Sequence, residues 1–247
     1  MFAVFYALAP WDFTLTNITA VAYSGVPWFL GGVTLYYALY RQDVSITSGL
    51  QNLKLLFVVI FANIILGEQF SLVVYILIGL LIISSFLVAV DEKIEWKDFF
   101  NWPIAIFILS LVLFSLSDVM AKRAFALISP ISLMSGNILV GFVLSLFLLP
   151  FVFSKINQIT WPQARVITIN SMLTFSIVCL LIIAFQDNVT ISNVLTNLTG
   201  PFALMLTVVL SKFKPNLIEK HTPRVFKIRM VGVLVSYVLA ALIVFLS

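Results

Sequence analysis

The chain has 247 residues, of which 62% are hydrophobic and 10% charged, with a formal net charge of +4 and a mean hydropathy of +1.15. A water-soluble domain carries about 25% charged residues, so this composition excludes an ordinary soluble globular fold. A lone cysteine, Cys179, and a lone histidine, His221, exclude a disulfide framework and a His/Cys metal centre.

No cofactor or metal is expected. In a soluble protein a basic balance points towards nucleic acid. Here the Lys and Arg residues cluster between apolar stretches, as membrane topology demands. The expected surroundings are a lipid bilayer, with no nucleic-acid partner.

Residues 1–10 are apolar but lack the basic segment that opens a signal peptide, and they are too short to cross a bilayer. Eight full spans follow, at 16–39, 44–66, 71–90, 102–121, 131–153, 163–185, 189–210 and 230–246. Their apolar runs are continuous rather than alternating, which indicates helices and not barrel strands. Segment 91–101 holds six charged residues and divides the chain into 1–95 and 96–247. A basic loop, 212–229, precedes the last span. The fold class expected is all-α, a polytopic transmembrane helix bundle.

An internal repeat underlies that division. Residues 43–57 can be laid over 188–202 without a gap, an offset of 188 − 43 = 145. Six of the fifteen positions are identical: Val44/Val189, Ile46/Ile191, Leu50/Leu195, Asn52/Asn197, Leu53/Leu198 and Phe57/Phe202. Shared leucines mean little in apolar helices, but a shared intramembrane Asn in a matched polar pattern means more. The next spans match as well, with Ile78-Gly79 against Val231-Gly232. The second half has five spans and the first only three. By the repeat offset two helices are missing from the front, on the order of 45 residues, and residues 1–13 would be the remnant of one. An odd number of spans per repeat places the halves in opposite orientations, the inverted arrangement that recurs in transporters.

Ala38-Leu39, residues 44–50, Leu66-Gly67-Glu68 and Ile78-Gly79 resemble the drug/metabolite transporter superfamily, EamA-type permeases. In the second half Ala121-Lys122-Arg123, Ser129-Pro130, Ala184-Phe185 and Gly200-Pro201-Phe202 carry the same resemblance, which covers about 38–247. The resemblance implies inverted five-helix repeats, here with the first repeat incomplete by two helices. It also implies alternating access to a central cavity, lined by the spans at 16–39, 44–66, 163–185 and 189–210. The chain departs from the family pattern at Ser211-Lys212, opposite Gly67-Glu68, and at Leu56, opposite the helix proline Pro201.

Lys54 is the most informative residue. It lies near the middle of its span, where a charge costs at least about 2.5–3.5 kcal/mol on insertion scales. Thr47, Gln51 and Lys54 fall at i, i+4 and i+7, one helical face. That stripe fits a binding site for an anionic group; the plainer alternative is a structural ion pair or a snorkelling lysine. Asp118 lies one turn before Lys122, which fits a local interfacial pair or, alternatively, an ion-coupling site for H+ or Na+. Asn193, Asn197 and Gly200 share a face on the seventh span, with Asn52 repeating Asn197; interhelical hydrogen bonding is their plainer role. Trp28 is a mid-span cavity candidate, while Trp96, Trp102 and Trp161 fit interfacial anchors. Asn63, Asn137 and Asn170 fit helix-packing contacts.

Orientation has two opposed indications. Arg41, Lys93, Lys97, Lys155, Arg165 and the six basic residues of 212–229 share one side, and Lys122 and Arg123 the other. The excess of positive charge puts 212–229 in the cytoplasm; the resemblance puts Lys122-Arg123 there. No catalytic triad, carboxylate pair or phosphate-binding loop marks an enzyme. The expected function is secondary transport of small metabolites, with an anionic substrate in view. The alternatives are a lipid-linked sugar flippase or nucleotide-sugar carrier, and a non-transporting membrane subunit.

Overall fold

A computed structural model describes residues 14–41, 50–51, 53–88, 101–156, 160–184, 189–196, 198 and 223–246. Helices account for nearly all of them: α1 (Leu15–Arg41), α2 (Leu53–Phe61) with a π-helical turn (Ala62–Leu66), α3 (Leu72–Val88), α4 (Trp102–Ala124), α5 (Pro130–Ile156), α6 (Trp161–Ala184), α7 (Val189–Thr196) and α8 (Pro223–Leu246). Among the described residues there is no strand. Four helical stretches, Leu15–Arg41, Trp102–Ala124, Pro130–Phe151 and Lys227–Leu246, are long and apolar enough to cross a membrane. Their exposed side chains are apolar too, with Phe147 70%, Phe151 80% and Phe245 86% exposed. Water would penalise a continuous surface of this kind; hydrocarbon does not. The chain is therefore consistent with a membrane protein.

Local chemistry explains several helix ends. Pro223 opens α8 at the first helical position, where a missing N–H costs nothing. The basic stretch expected as a loop over 212–229 is consequently helical from residue 223, and Arg229 is only 8% exposed. Trp102 and Trp161 each open a helix and are 73% and 81% exposed. Pro27 sits inside α1 and leaves the Tyr23 carbonyl without its helical donor.

By contacts the chain forms two compact units, residues 1–30 with 116–189 and residues 31–115 with 190–247. In the first, small and polar residues bring helices close. The Ser24 hydroxyl donates to Asn137 Oδ1 of α5 at 2.8 Å, and the Ser117 hydroxyl of α4 donates to the Ser24 carbonyl at 2.8 Å. Asn137 thus plays the packing role expected of it. Apolar packing joins Val21 to Ala121, Ala124, Ile128 and Leu133.

The second unit has two apolar clusters. One gathers Ala38, Leu50, Ile104, Phe107 and Leu111. The other joins Leu55 and Val59 of α2, Val74, Ile78 and Leu81 of α3, Val194 of α7, and Leu239, Ala240 and Ile243 of α8. Ser84 and Ser236 bond hydroxyl to hydroxyl at 2.9 Å between α3 and α8. The α3 residues in the cluster precede Ser84, whereas the α8 residues follow Ser236. Parallel helices would pair residues preceding both serines, so α3 and α8 run antiparallel.

Gly67 ends the π-turn with φ +71°, in the left-handed region, and the Glu68 N–H returns to the Ala62 carbonyl at 3.2 Å. An L side chain there costs roughly 1–2 kcal/mol. Gly67→Ala is expected to lower stability by about that amount, read from unfolding in detergent.

Candidate functional site

In the second unit the polar chemistry begins with α2. Leu50 is helical and Gln51 lies in a turn, after which α2 starts at Leu53. The Lys54 N–H bonds to the Gln51 carbonyl at 3.1 Å, a tighter link than the α-helical one. Lys54 is half-buried in the first turn of α2, and its carbonyl accepts the Ser115 hydroxyl of α4 at 2.9 Å. Gln51 is exposed, so the two residues expected to share a stripe differ in environment. Thr47 and Asn52 lie outside the described residues.

The other matched segment is α7. It spans eight residues yet buries Thr190, Ser192 and Asn193 at 1%, 8% and 1% exposure. The Thr196 hydroxyl folds back onto the Asn193 carbonyl at 2.9 Å, and beyond the helix Leu198 lies in a turn, bonded to the Leu195 carbonyl at 3.1 Å. Under the 145-residue offset Leu198 corresponds to Leu53. Under the same offset Gln51 corresponds to Thr196, so the two described turn residues, Gln51 and Leu198, lie two positions apart. Asn197 and Gly200 lie outside the described residues.

At the far end of α2 a carboxylate joins α7. The Thr190 hydroxyl donates to Glu68 Oε2 at 2.9 Å. Asn63, on the π-turn, donates to the Glu68 carbonyl at 3.1 Å and to the Tyr75 hydroxyl at 3.3 Å. Phe70 meets the Tyr75 ring edge-on, with centroids 6.1 Å apart. The π-turn creates this arrangement: one extra residue per turn shifts the chain so that Gly67 can reverse it and present Glu68 towards α7. Such turns concentrate at functional sites. The sequence-level site set did not include Glu68. Its signal was a carboxylate directly after a left-handed glycine between two apolar runs.

Other candidates lie elsewhere. Asp118 and Lys122 are both half-buried on the last turns of α4, in the first unit. Trp28 is half-buried on α1, where a Cβ at Gly141 of α5 would lie 3.5 Å from its ring. Its ring thus lies beside α5 in the first unit. Among the described residues, no group of His, Cys, Asp and Glu could hold a metal ion.

Chemically, the second unit offers a half-buried cation at one end of α2 and a hydroxyl-bound carboxylate at the other. The buried polar side chains of α7 accompany them. No protein-family model and no curated protein matches the chain.

Proposed function

We propose that this chain is a secondary transporter of small metabolites working by alternating access, with Lys54 holding an anionic group of the substrate. The observation that carries the reading is the pair of turns, at Gln51 before α2 and at Leu198 after α7, in segments matched by the internal repeat. Apolar segments interrupted at corresponding places in two halves are the strongest sequence-level pointer to a transporter site. Backbone in a turn leaves carbonyls without helical donors, which membrane interiors tolerate only where they are buried in protein or line a wet cavity. Shared packing of α2 and α7 in one cluster supports the reading, as does the antiparallel pairing of α3 with α8, which an inverted repeat requires of its matched last helices. The drug/metabolite transporter architecture with its first repeat short by two helices is the form this proposal takes. Coupling to H+ or Na+ belongs to the same proposal, with Glu68 and Asp118 as the carboxylates to be tested.

The test starts from the purified full chain. Its thermal unfolding is measured with inorganic phosphate, dicarboxylates, amino acids and sugar phosphates, since a ligand of the folded state raises the midpoint. A stabilising compound is then offered to proteoliposomes as a labelled solute. Lys54→Met is expected to reduce its uptake roughly tenfold or more, the equivalent of one charge-assisted hydrogen bond, with helical content unchanged. Unaltered uptake and affinity in Lys54→Met would overturn the assignment of Lys54. Absence of accumulation for every stabilising compound would overturn transport.

A further inference from the structure

We infer that the first unit carries a binding groove for an anionic phospholipid, between the start of α1 and the end of α4. The inference does not depend on the transport reading. An open groove of about 320 Å³ runs there, with Thr16, Thr19, Tyr23 and Arg123 supplying its polar wall. Ala20, Met120, Ala124 and Leu127 supply the apolar remainder.

Three features select the occupant. The first is charge. Arg123 is exposed in the last turn of α4, and no carboxylate is among the groove's lining residues. A guanidinium forks onto phosphate oxygens through two parallel N–H donors, and hydroxyls of Thr16 and Tyr23 stand along the same groove to add neutral donors.

The second is depth. Helix α4 is an apolar segment long enough to cross a membrane, and its basic residues Lys122 and Arg123 close it. Arginines at such ends sit at headgroup level. Basic pockets between transmembrane helices are where anionic headgroups bind.

The third is the apolar floor. Met120 lies one turn nearer the middle of α4 than Arg123, and Leu127, which is 55% exposed, lies beyond the helix end. A free phosphate would use the arginine and leave these side chains bare. A glycerophospholipid covers both: its phosphodiester meets Arg123 while an acyl chain lies on Ala20 and Met120. Ala20 and Ala124 keep the groove open because neither carries atoms beyond Cβ.

The test is native mass spectrometry of the full chain in detergent, titrated with phosphatidylglycerol or with phosphatidylcholine. Phosphatidylglycerol is expected to be retained in preference. Arg123→Gln is expected to weaken that retention about fivefold, the effect of one basic residue at a lipid surface. The control is Arg41→Gln, at the opposite end of α1, where the guanidinium stacks on Tyr37 at 5.2 Å from the ring centroid. It is expected to leave retention unchanged. Should Arg123→Gln lose its helical circular dichroism, Thr16→Val with Tyr23→Phe replaces it and is expected to weaken retention in the same direction.

Equal weakening by Arg41→Gln would reduce the effect to net charge and overturn the groove. Undiminished retention in Arg123→Gln, or in the replacement variant, would do the same. Displacement of phosphatidylglycerol by millimolar inorganic phosphate would assign the arginine to a soluble anion and overturn the lipid.

Discussion

Gly136→Ala is expected to destabilise the first unit by about 1–3 kcal/mol, the usual cost of forcing extra volume into a packed core, and Gly136→Leu by more. A Cβ added at Gly136 would lie 2.6 and 2.7 Å from the two γ-carbons of Val21. Val21 is 2% exposed on α1, and a helical valine has one strongly preferred rotamer, so its methyl groups cannot turn away. The backbones of α1 and α5 must separate instead. Separation also strains the Ser24–Asn137 hydrogen bond at 2.8 Å, one turn along α1 from Val21. Thermal unfolding in detergent measures the loss. Val21→Ala introduced with Gly136→Ala should restore much of it, because the obstructing methyls are then gone. Strict additivity of the two substitutions would show that the contact does not govern the packing.

The second large effect belongs to Glu68. Glu68→Ala leaves the Thr190 hydroxyl, in a residue only 1% exposed, without its carboxylate acceptor. A buried polar group deprived of its partner costs about 1–3 kcal/mol. Thr190→Val in the same chain removes the stranded hydroxyl, so the double variant should be more stable than the sum of the single losses predicts, with a coupling of about 0.5–3 kcal/mol. Glu68→Gln separates structure from charge. Its amide oxygen can still accept from Thr190, so stability should stay close to that of the parent chain. Once a transported solute is known, loss of uptake in Glu68→Gln at full stability would identify the negative charge itself as the requirement. Zero coupling in the double-variant cycle would dissociate Glu68 from α7.

The two sites differ in how far the sequence reveals them. Lys54 is conspicuous because a charge inside an apolar run is costly wherever the chain goes, and that cost needs no knowledge of neighbours. The repeat is legible for a similar reason: identities at Asn52/Asn197 and Leu53/Leu198 are local string matches. The stripe of Thr47, Gln51 and Lys54 rested on helical spacing; Gln51 lies in a turn and is exposed, Lys54 is half-buried, and Thr47 is outside the described residues. Where α2 sits also depends on distant partners, such as the Ser115 hydroxyl that donates to the Lys54 carbonyl from sixty-one residues away. Such a partner is invisible to local periodicity.

The all-helical class and the approximate positions of the long apolar helices followed from hydropathy alone, because about twenty continuous apolar residues suit a helix and not an alternating strand. The helix start at Trp102 was local in the same way, whereas the starts at Trp161 and Pro223 lie two and seven residues ahead of the hydropathy bounds at 163 and 230. Tertiary structure alone decided the rest. The clasp between Glu68 and Thr190 spans 122 residues, the antiparallel seam at Ser84 and Ser236 spans 152, and the groove joins Thr16 to Arg123. In hydrocarbon every apolar helix face is equally content, so hydropathy cannot say which faces meet. A few hydroxyls, amides and missing side chains make that choice, and their partners exist only once the chain has folded.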